Sequence, residues 1–319
     1  LPTGSNFHLG YPWLFLARYV EGGEQGGPGQ QQRFNVMCNH LRFNPSEVQK
    51  IMPNDTFYFS ILRNPVAQLE SSFIYYKHVV PAFRGARDLD TFLASPHTFY
   101  NESLGLRNAY ARNNMWFDFG FDNNAAATEG YVRARLAEAE RRFQLVLIAE
   151  HFDESMVLLR RALRWRLDDV VAFRLNARSA ASVAHLSPAA LERAQRWCAL
   201  DWRLYQHFNR TFWARAYAEL GPRRLRAEVA RLRARRRELS ALCLQDGAPQ
   251  DRARISDRQL QPFQPGQADI LGYNLRPGLD NETLRMCRSM ALPELQYTAR
   301  LYSLQFPEKP PKKIPFLED

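Results

Sequence analysis

The sequence predicts an α/β fold, with a mainly parallel central sheet flanked by helices and helical additions toward the carboxyl end. Three observations carry this. The run Phe57–Leu62 is apolar and aromatic, and it stops at Arg63-Asn64-Pro65. A run of that length closed by a turn signal suits a central strand. Leu145-Val146-Leu147-Ile148 is a second such run. Between the two, Val132, Leu136, Ala139 and Phe143 recur at helical spacing in Glu129–Phe143, and Glu154–Trp165 follows the second as a helix. Strand–helix–strand–helix order gives parallel strands, because parallel neighbours need a crossover connection. The 319 residues suffice for a single large domain spanning 1–319.

Taken in order, residues 1–20 read as a helix with aromatic contacts. Residues 21–32 are rich in Gly and Gln and read as a flexible loop. Phe34–Cys38 reads as a short strand and Ser46–Ile51 as a short helix opened by an Asn-Pro-Ser turn. Asn64 is a good N-cap, and Pro65 fits the first helical position, where its missing N–H is not needed. That helix runs on through Gln68, Leu69, Phe73 and Tyr76. Residues 81–114 hold short helices between Pro, Gly and Asn residues. A long helix begins at Ser187-Pro188 and covers Leu186–Phe208. Asn209–Glu219 either continues it or follows a break.

Gly221–Leu239 is strongly basic and carries Leu225, Val229, Leu232 and Leu239 at helical spacing. The simplest reading is a surface helix packed by that stripe, with Arg stems covering the core edge. Capture of an anionic acceptor or a membrane surface is the alternative. Nucleic acid is not expected as a partner, because aromatic residues do not interleave with the arginines. The Pro/Lys-rich segment 307–319 reads as an extended tail.

The net charge of +10, carried mostly by Arg, favours anionic partners with planar oxygen groups. Arg63 sits at the carboxyl end of its strand, where open α/β sheets bind ligands. Asn64 and Ser71 are two helical turns apart and share a face. An arginine fork, a helix N-terminus and a hydroxyl thus converge as a phosphate site. Glu150, Asp153 and Glu154 follow the second strand. A carboxylate pair there suits glycosidase chemistry, and capping of the next helix is the simpler role. His151 has no partner at metal-ligand spacing, and Cys38, Cys198, Cys243 and Cys287 contain no C-x-x-C, so no metal is assigned. One or two disulfides, or buried free thiols, remain open. Asn54, Asn101, Asn209 and Asn281 head Asn-x-Ser/Thr sequons and are candidate glycosylation sites.

Arg63-Asn64-Pro65 followed by Ser71 resembles the 3′-phosphate element of sulfotransferases that use 3′-phosphoadenosine 5′-phosphosulfate (PAPS). The wider text, Phe34–Asn44, Ser60–Phe73, Phe117-Asp118-Phe119-Gly120-Phe121, Glu150–Ser155 and Ile270–Leu275, resembles the galactose-3-O-sulfotransferases over nearly the whole chain. The ending Leu304–Pro310 resembles the glycoprotein-acting branch more than the cerebroside-acting one. The resemblance implies a P-loop-like sulfotransferase fold and PAPS as sulfate donor, with Arg63 and Ser71 holding its 3′-phosphate. It implies transfer to the 3-hydroxyl of non-reducing terminal β-galactose on glycoproteins or glycolipids, in the Golgi lumen. A sugar hydroxyl is a poor nucleophile and needs a base. His40 is the candidate, because a histidine in this place resembles the base of uronosyl 2-O-sulfotransferases. Arg42 beside it is a candidate for orienting the acceptor. Gly272-Tyr273 reads either as a loop closing over adenine or as a plain turn with a packed Tyr.

Family members begin with a signal anchor and a loop gripping the 5′-phosphosulfate, and Leu1–Ser5 resembles sequence just after that loop. No stretch of about 18 apolar residues follows. The chain is therefore expected to be a shortened, catalytically weak form, with membrane association only through the missing anchor. Two other readings stand beside this one. One is a glycan-binding remnant. The other is a P-loop nucleotide kinase, for which the G-x-x-x-x-G-K-[ST] element is missing.

Overall fold

The computed structural model describes residues 1–23, 34–179, 181, 183 and 186–318. Most of the loop expected at 21–32 therefore lies outside the described residues. At the centre, β1 (Phe59–Leu62) and β2 (Leu145–Ile148) run parallel, Phe59 opposite Leu145 and Leu62 opposite Ile148. They form a two-stranded sheet among the described residues, and β2 is wholly buried. β1 alternates instead, leaving Phe59 and Ile61 exposed on one face.

The helices follow the chain in the order α1 (Pro45–Ile51), α2 (Pro65–Tyr75), α3 (Pro81–Arg84), α4 (Leu89–Ala94), α5 (Pro96–Phe99) and α6 (Asn114–Asp118) before the crossover helix α7 (Glu129–Arg142). After β2 come α8 (Phe152–Leu163), α9 (Pro188–Trp197), α10 (Ala199–Cys243), α11 (Asn281–Ala291), α12 (Glu294–Gln305) and α13 (Pro315–Glu318). β2 packs against α8 and α10. Its apolar side chains join Val157, Leu158, Leu204, Phe208 and Phe212 in the main core. A second core gathers Phe73, Phe83, Phe92 and Trp197 beside α2.

Local chemistry explains the boundaries. Ser187 accepts from Ala190 N at 3.2 Å and Pro188 opens α9. Within α10, Gly221 at φ 70° breaks the helical path, and Pro222 restarts it at a position that needs no N–H. Beyond that break the expected stripe of Leu225, Val229, Leu232 and Leu239 is buried. Arg233 and Arg236 pair with Asp153, and Arg235 pairs with Asp168. Asp153 thus clamps two helices together rather than capping α8, whose first turn has no side-chain cap. A disulfide joins Cys243 at the end of α10 to Cys287 on α11, while Cys38 and Cys198 are free.

Three expectations need correction. Residues 1–20 are not a helix: only a 3-10 turn at Ala17–Tyr19 forms. The segment instead lies along residues 40–42, with Leu9 N donating to His40 O at 2.8 Å and Phe15 N to Arg42 O at 2.9 Å. Phe34–Cys38 is not a strand. Its Val36 is 74% exposed, and among the described residues no strand neighbours the run to give it a ladder. The tail after Pro307 is extended through Ile314, but it is packed down. The buried Lys312 ammonium donates to the carbonyls of Pro2, Gly4 and Asn6. Lys309 pairs with Glu21. Tail and amino-terminal segment therefore hold each other.

Candidate functional site

The turn after β1 places Arg63 and α2. Asn64 Oδ1 accepts from Val66 N at 3.0 Å and Ala67 N at 3.4 Å, and Asn64 O accepts from Gln68 N at 2.8 Å. With Pro65 lacking an N–H, the first-turn donors of α2 are used within the turn. The helix N-terminus therefore contributes its dipole to an anion but no free backbone donor, a correction to the convergence read from sequence. Glu150 at the end of β2 stiffens the same turn. Its carboxylate accepts from Asn64 N at 2.8 Å and from the Tyr205 hydroxyl at 3.2 Å.

Arg63 is half-buried, and among the described residues its guanidinium has no ion-pair partner. Burial first, then the neighbouring Arg178 and Arg174, lower its pKa, against the opposing pull of Glu150 and Glu70. Arg178 is neutralised by a buried two-pronged pair with Glu70, with Nη1 to Oε1 at 3.0 Å. Arg174 is exposed and likewise has no ion-pair partner among the described residues. Of the charges acting on Arg63, Arg174 is the weakest, behind Arg178, Glu150 and Glu70. Ser71, half-buried one turn and a half along α2, makes no side-chain hydrogen bond among the described residues.

Arg174 and Arg178 were missed from sequence because they stand more than a hundred positions after Arg63. Antiparallel contacts bring them in: Arg178 bridges Ile270, and Ser179 N donates to Asp269 O at 2.8 Å. Gly272-Tyr273 is not a turn: Gly272 pairs antiparallel with Gln250. Tyr273 is 4% exposed, lies against Phe173, and donates its hydroxyl to Arg174 O at 3.2 Å.

His40 sits apart from this cluster. Its Nε2 is 2.9 Å from Glu294 Oε1, and its ring lies 4.7 Å from that of His8. The Glu294 carboxylate raises the pKa of His40 against burial, with a smaller contribution from Asp118. Tyr75, at the carboxyl end of α2, also feels the charge of Glu294, and burial lifts its pKa to about 12. α2 therefore carries Glu70 to Arg178, while Tyr75, about 7–8 Å further along its axis, feels Glu294 on the histidine side. Arg42 makes structural contacts. Its guanidinium donates to Phe117 O at 3.1 Å and Phe121 O at 3.0 Å and lies over the Phe117 ring. It holds the Phe117–Phe121 segment through Nε and one Nη.

Among the sequon residues, Asn54, Asn101 and Asn281 are exposed. Asn209 is half-buried within α10 and its Oδ1 is enclosed without a partner, a poor acceptor geometry. His151 stacks on Phe212 and meets Trp213 edge-on. No group of His, Cys, Asp and Glu able to hold a metal ion occurs among the described residues. No helix among them is long and apolar enough to cross a membrane.

Arg63 after β1 and the separate His40–Glu294 pair are the two candidate elements of the site, and the comparisons give the class of protein, a sulfotransferase. A family model described as Galactose-3-O-sulfotransferase matches residues 1–305. Galactose-3-O-sulfotransferase 2 of Sus scrofa is 74% identical over 99% of this chain and 79% of its own length, and the Homo sapiens protein of that name shows the same identity and coverage. Galactosylceramide sulfotransferase of Homo sapiens is 39% identical over 93% of this chain and 69% of its own length. No solved structure matches the chain. The chain belongs to the galactose-3-O-sulfotransferase family.

Proposed function

We propose that the protein transfers a sulfuryl group from PAPS to the 3-hydroxyl of a terminal β-galactose on glycoprotein or glycolipid glycans, as a lumenal Golgi enzyme with a P-loop-like sulfotransferase fold. Family membership supports the reaction class. The observation that supports the donor site is Arg63, half-buried at the end of β1 with no ion-pair partner among the described residues, with Arg174 and Arg178 within electrostatic reach. Arg63 and Ser71 hold the 3′-phosphate. Arg174 adds charge from the opposite segment.

In the reaction the galactose O3 attacks sulfur, the bond from sulfur to the bridging phosphate oxygen breaks, and the electron pair leaves on the phosphate. His40 takes the hydroxyl proton as the new S–O bond forms. In-line placement and stabilisation of the spreading negative charge supply the rest.

Transfer of [35S]sulfate from labelled PAPS to defined β-galactosides tests the reading. Label at galactose O3 is the expected result. Binding of galactosides without transfer, by the full-length protein, would favour a glycan-binding role instead. Glycans are expected at Asn54, Asn101 and Asn281, whose exposure supports access by the glycosylation machinery.

A further inference from the structure

We propose that Glu294 is the positioning residue of the base. Its carboxylate holds the Nε2–H of His40 and thereby leaves Nδ1 as the atom that takes the galactose proton. This rests on the reading of His40 as base. The contact is direct, 2.9 Å from Nε2 to Oε1. A neutral imidazole has one N–H and one lone pair, so donation through Nε2 fixes which nitrogen remains basic.

Glu294 is the first residue of α12 and follows Pro293, so a helix start sets its backbone. His8 closes on the imidazole from the amino-terminal segment, rings 4.7 Å apart and tilted by 52°. Leu9 N, next in the chain, donates to His40 O and fixes the backbone below. The ring is thus held by a carboxylate from α12 and an aromatic neighbour near the other end of the chain.

The charges around it are consistent with the assignment. Glu294 and, more weakly, Asp118 of α6 favour the imidazolium. His8 is driven toward neutrality by burial and then by His40. Cys38 and Tyr75 face Glu294 rather than His40. When His40 takes the hydroxyl proton on Nδ1, its new charge is paired at once through Nε2. The side chains of both partners are more than half exposed, so the pair contributes little to folding. A positioning role and a structural role therefore separate experimentally.

The test uses the full-length protein with Glu294→Gln, Glu294→Asp and His40→Ala variants. Readouts are the pH profile of kcat/KM for β-galactoside sulfation, melting, and affinity for 3′,5′-ADP. Glu294→Gln is expected to lower kcat about tenfold or more, at unchanged nucleotide affinity. The acidic limb of its profile should move to lower pH, because the carboxylate that retains the His40 proton is gone. Glu294→Asp should recover part of the loss. Wild-type kcat and an unmoved limb in Glu294→Gln, with His40→Ala inactive, overturn the role of Glu294 and leave the base. Normal turnover in His40→Ala overturns both. If Glu294→Gln melts lower, 15N shifts of His40 in the wild-type protein decide: an Nε2–H tautomer supports the proposal and an Nδ1–H tautomer overturns it.

Discussion

Replacing Arg63 by Ala should separate ligand binding from folding. Most half-buried arginines are tied to a carboxylate, and truncation then orphans that partner. Arg63 has no such partner among the described residues, and it lies near Arg178 and Arg174, which disfavour its charge. Glu150 stays satisfied by Asn64 N and Tyr205, and Glu70 by Arg178. Removing Arg63 loses attraction to Glu150 and Glu70 along with repulsion from Arg178 and Arg174 and orphans no hydrogen-bond partner, so melting should be nearly unchanged. Binding of 3′,5′-ADP loses a charged hydrogen bond worth about 2–3 kcal/mol. That corresponds to roughly 30- to 160-fold in Kd at 25 °C. Titration calorimetry reads the affinity and scanning calorimetry the stability. A lower melting temperature with unchanged Kd would make Arg63 a structural residue and refute the phosphate site.

His40→Ala should cut galactoside sulfation by about 10²–10⁴ while leaving nucleotide affinity intact, because His40 lies outside the arginine cluster; steady-state kinetics and calorimetry together check this. Asp201 is 2% exposed and accepts from Trp116 N at 2.7 Å, and burial raises its pKa from 3.8 to about 7. The folded state therefore holds its proton more tightly than the unfolded state, and this residue withdraws stability as pH rises from 3.8 to about 7. Asp201→Asn does not titrate, so its stability relative to wild type should improve across that window, by an amount on the order of 4 kcal/mol at most; a pH-independent difference in denaturant melts would refute it. Cys287→Ser opens a cross-link between residues 44 apart and should cost about 4 kcal/mol by loop entropy, read as a lower denaturation midpoint.

Local signals in the sequence determined β1, β2, α2, α7 and the apolar stripe of Leu225, Val229, Leu232 and Leu239. Each rests on near neighbours: an apolar run, a cap, a 3.6-residue period. Arg63 and Ser71 were legible for the same reason, because one turn and one helix relate them. The reading failed where structure depends on what a segment meets. Phe34–Cys38 has β-prone residues but no adjacent strand among the described residues, and residues 1–20 find backbone partners at 40–42 rather than within themselves. Arg42 next to His40 gave no sign that Phe117 and Phe121, some eighty positions on, would take its hydrogen bonds. Only the tertiary structure could show that Asn64 closes the N-terminus of α2 to ligands, that Arg174 joins Arg63, and that Glu294 grips His40 across 254 positions. Charge compensation and hydrogen-bond satisfaction are settled among groups in space. The sequence shows which groups exist, and packing decides which of them are left uncompensated to act on a ligand.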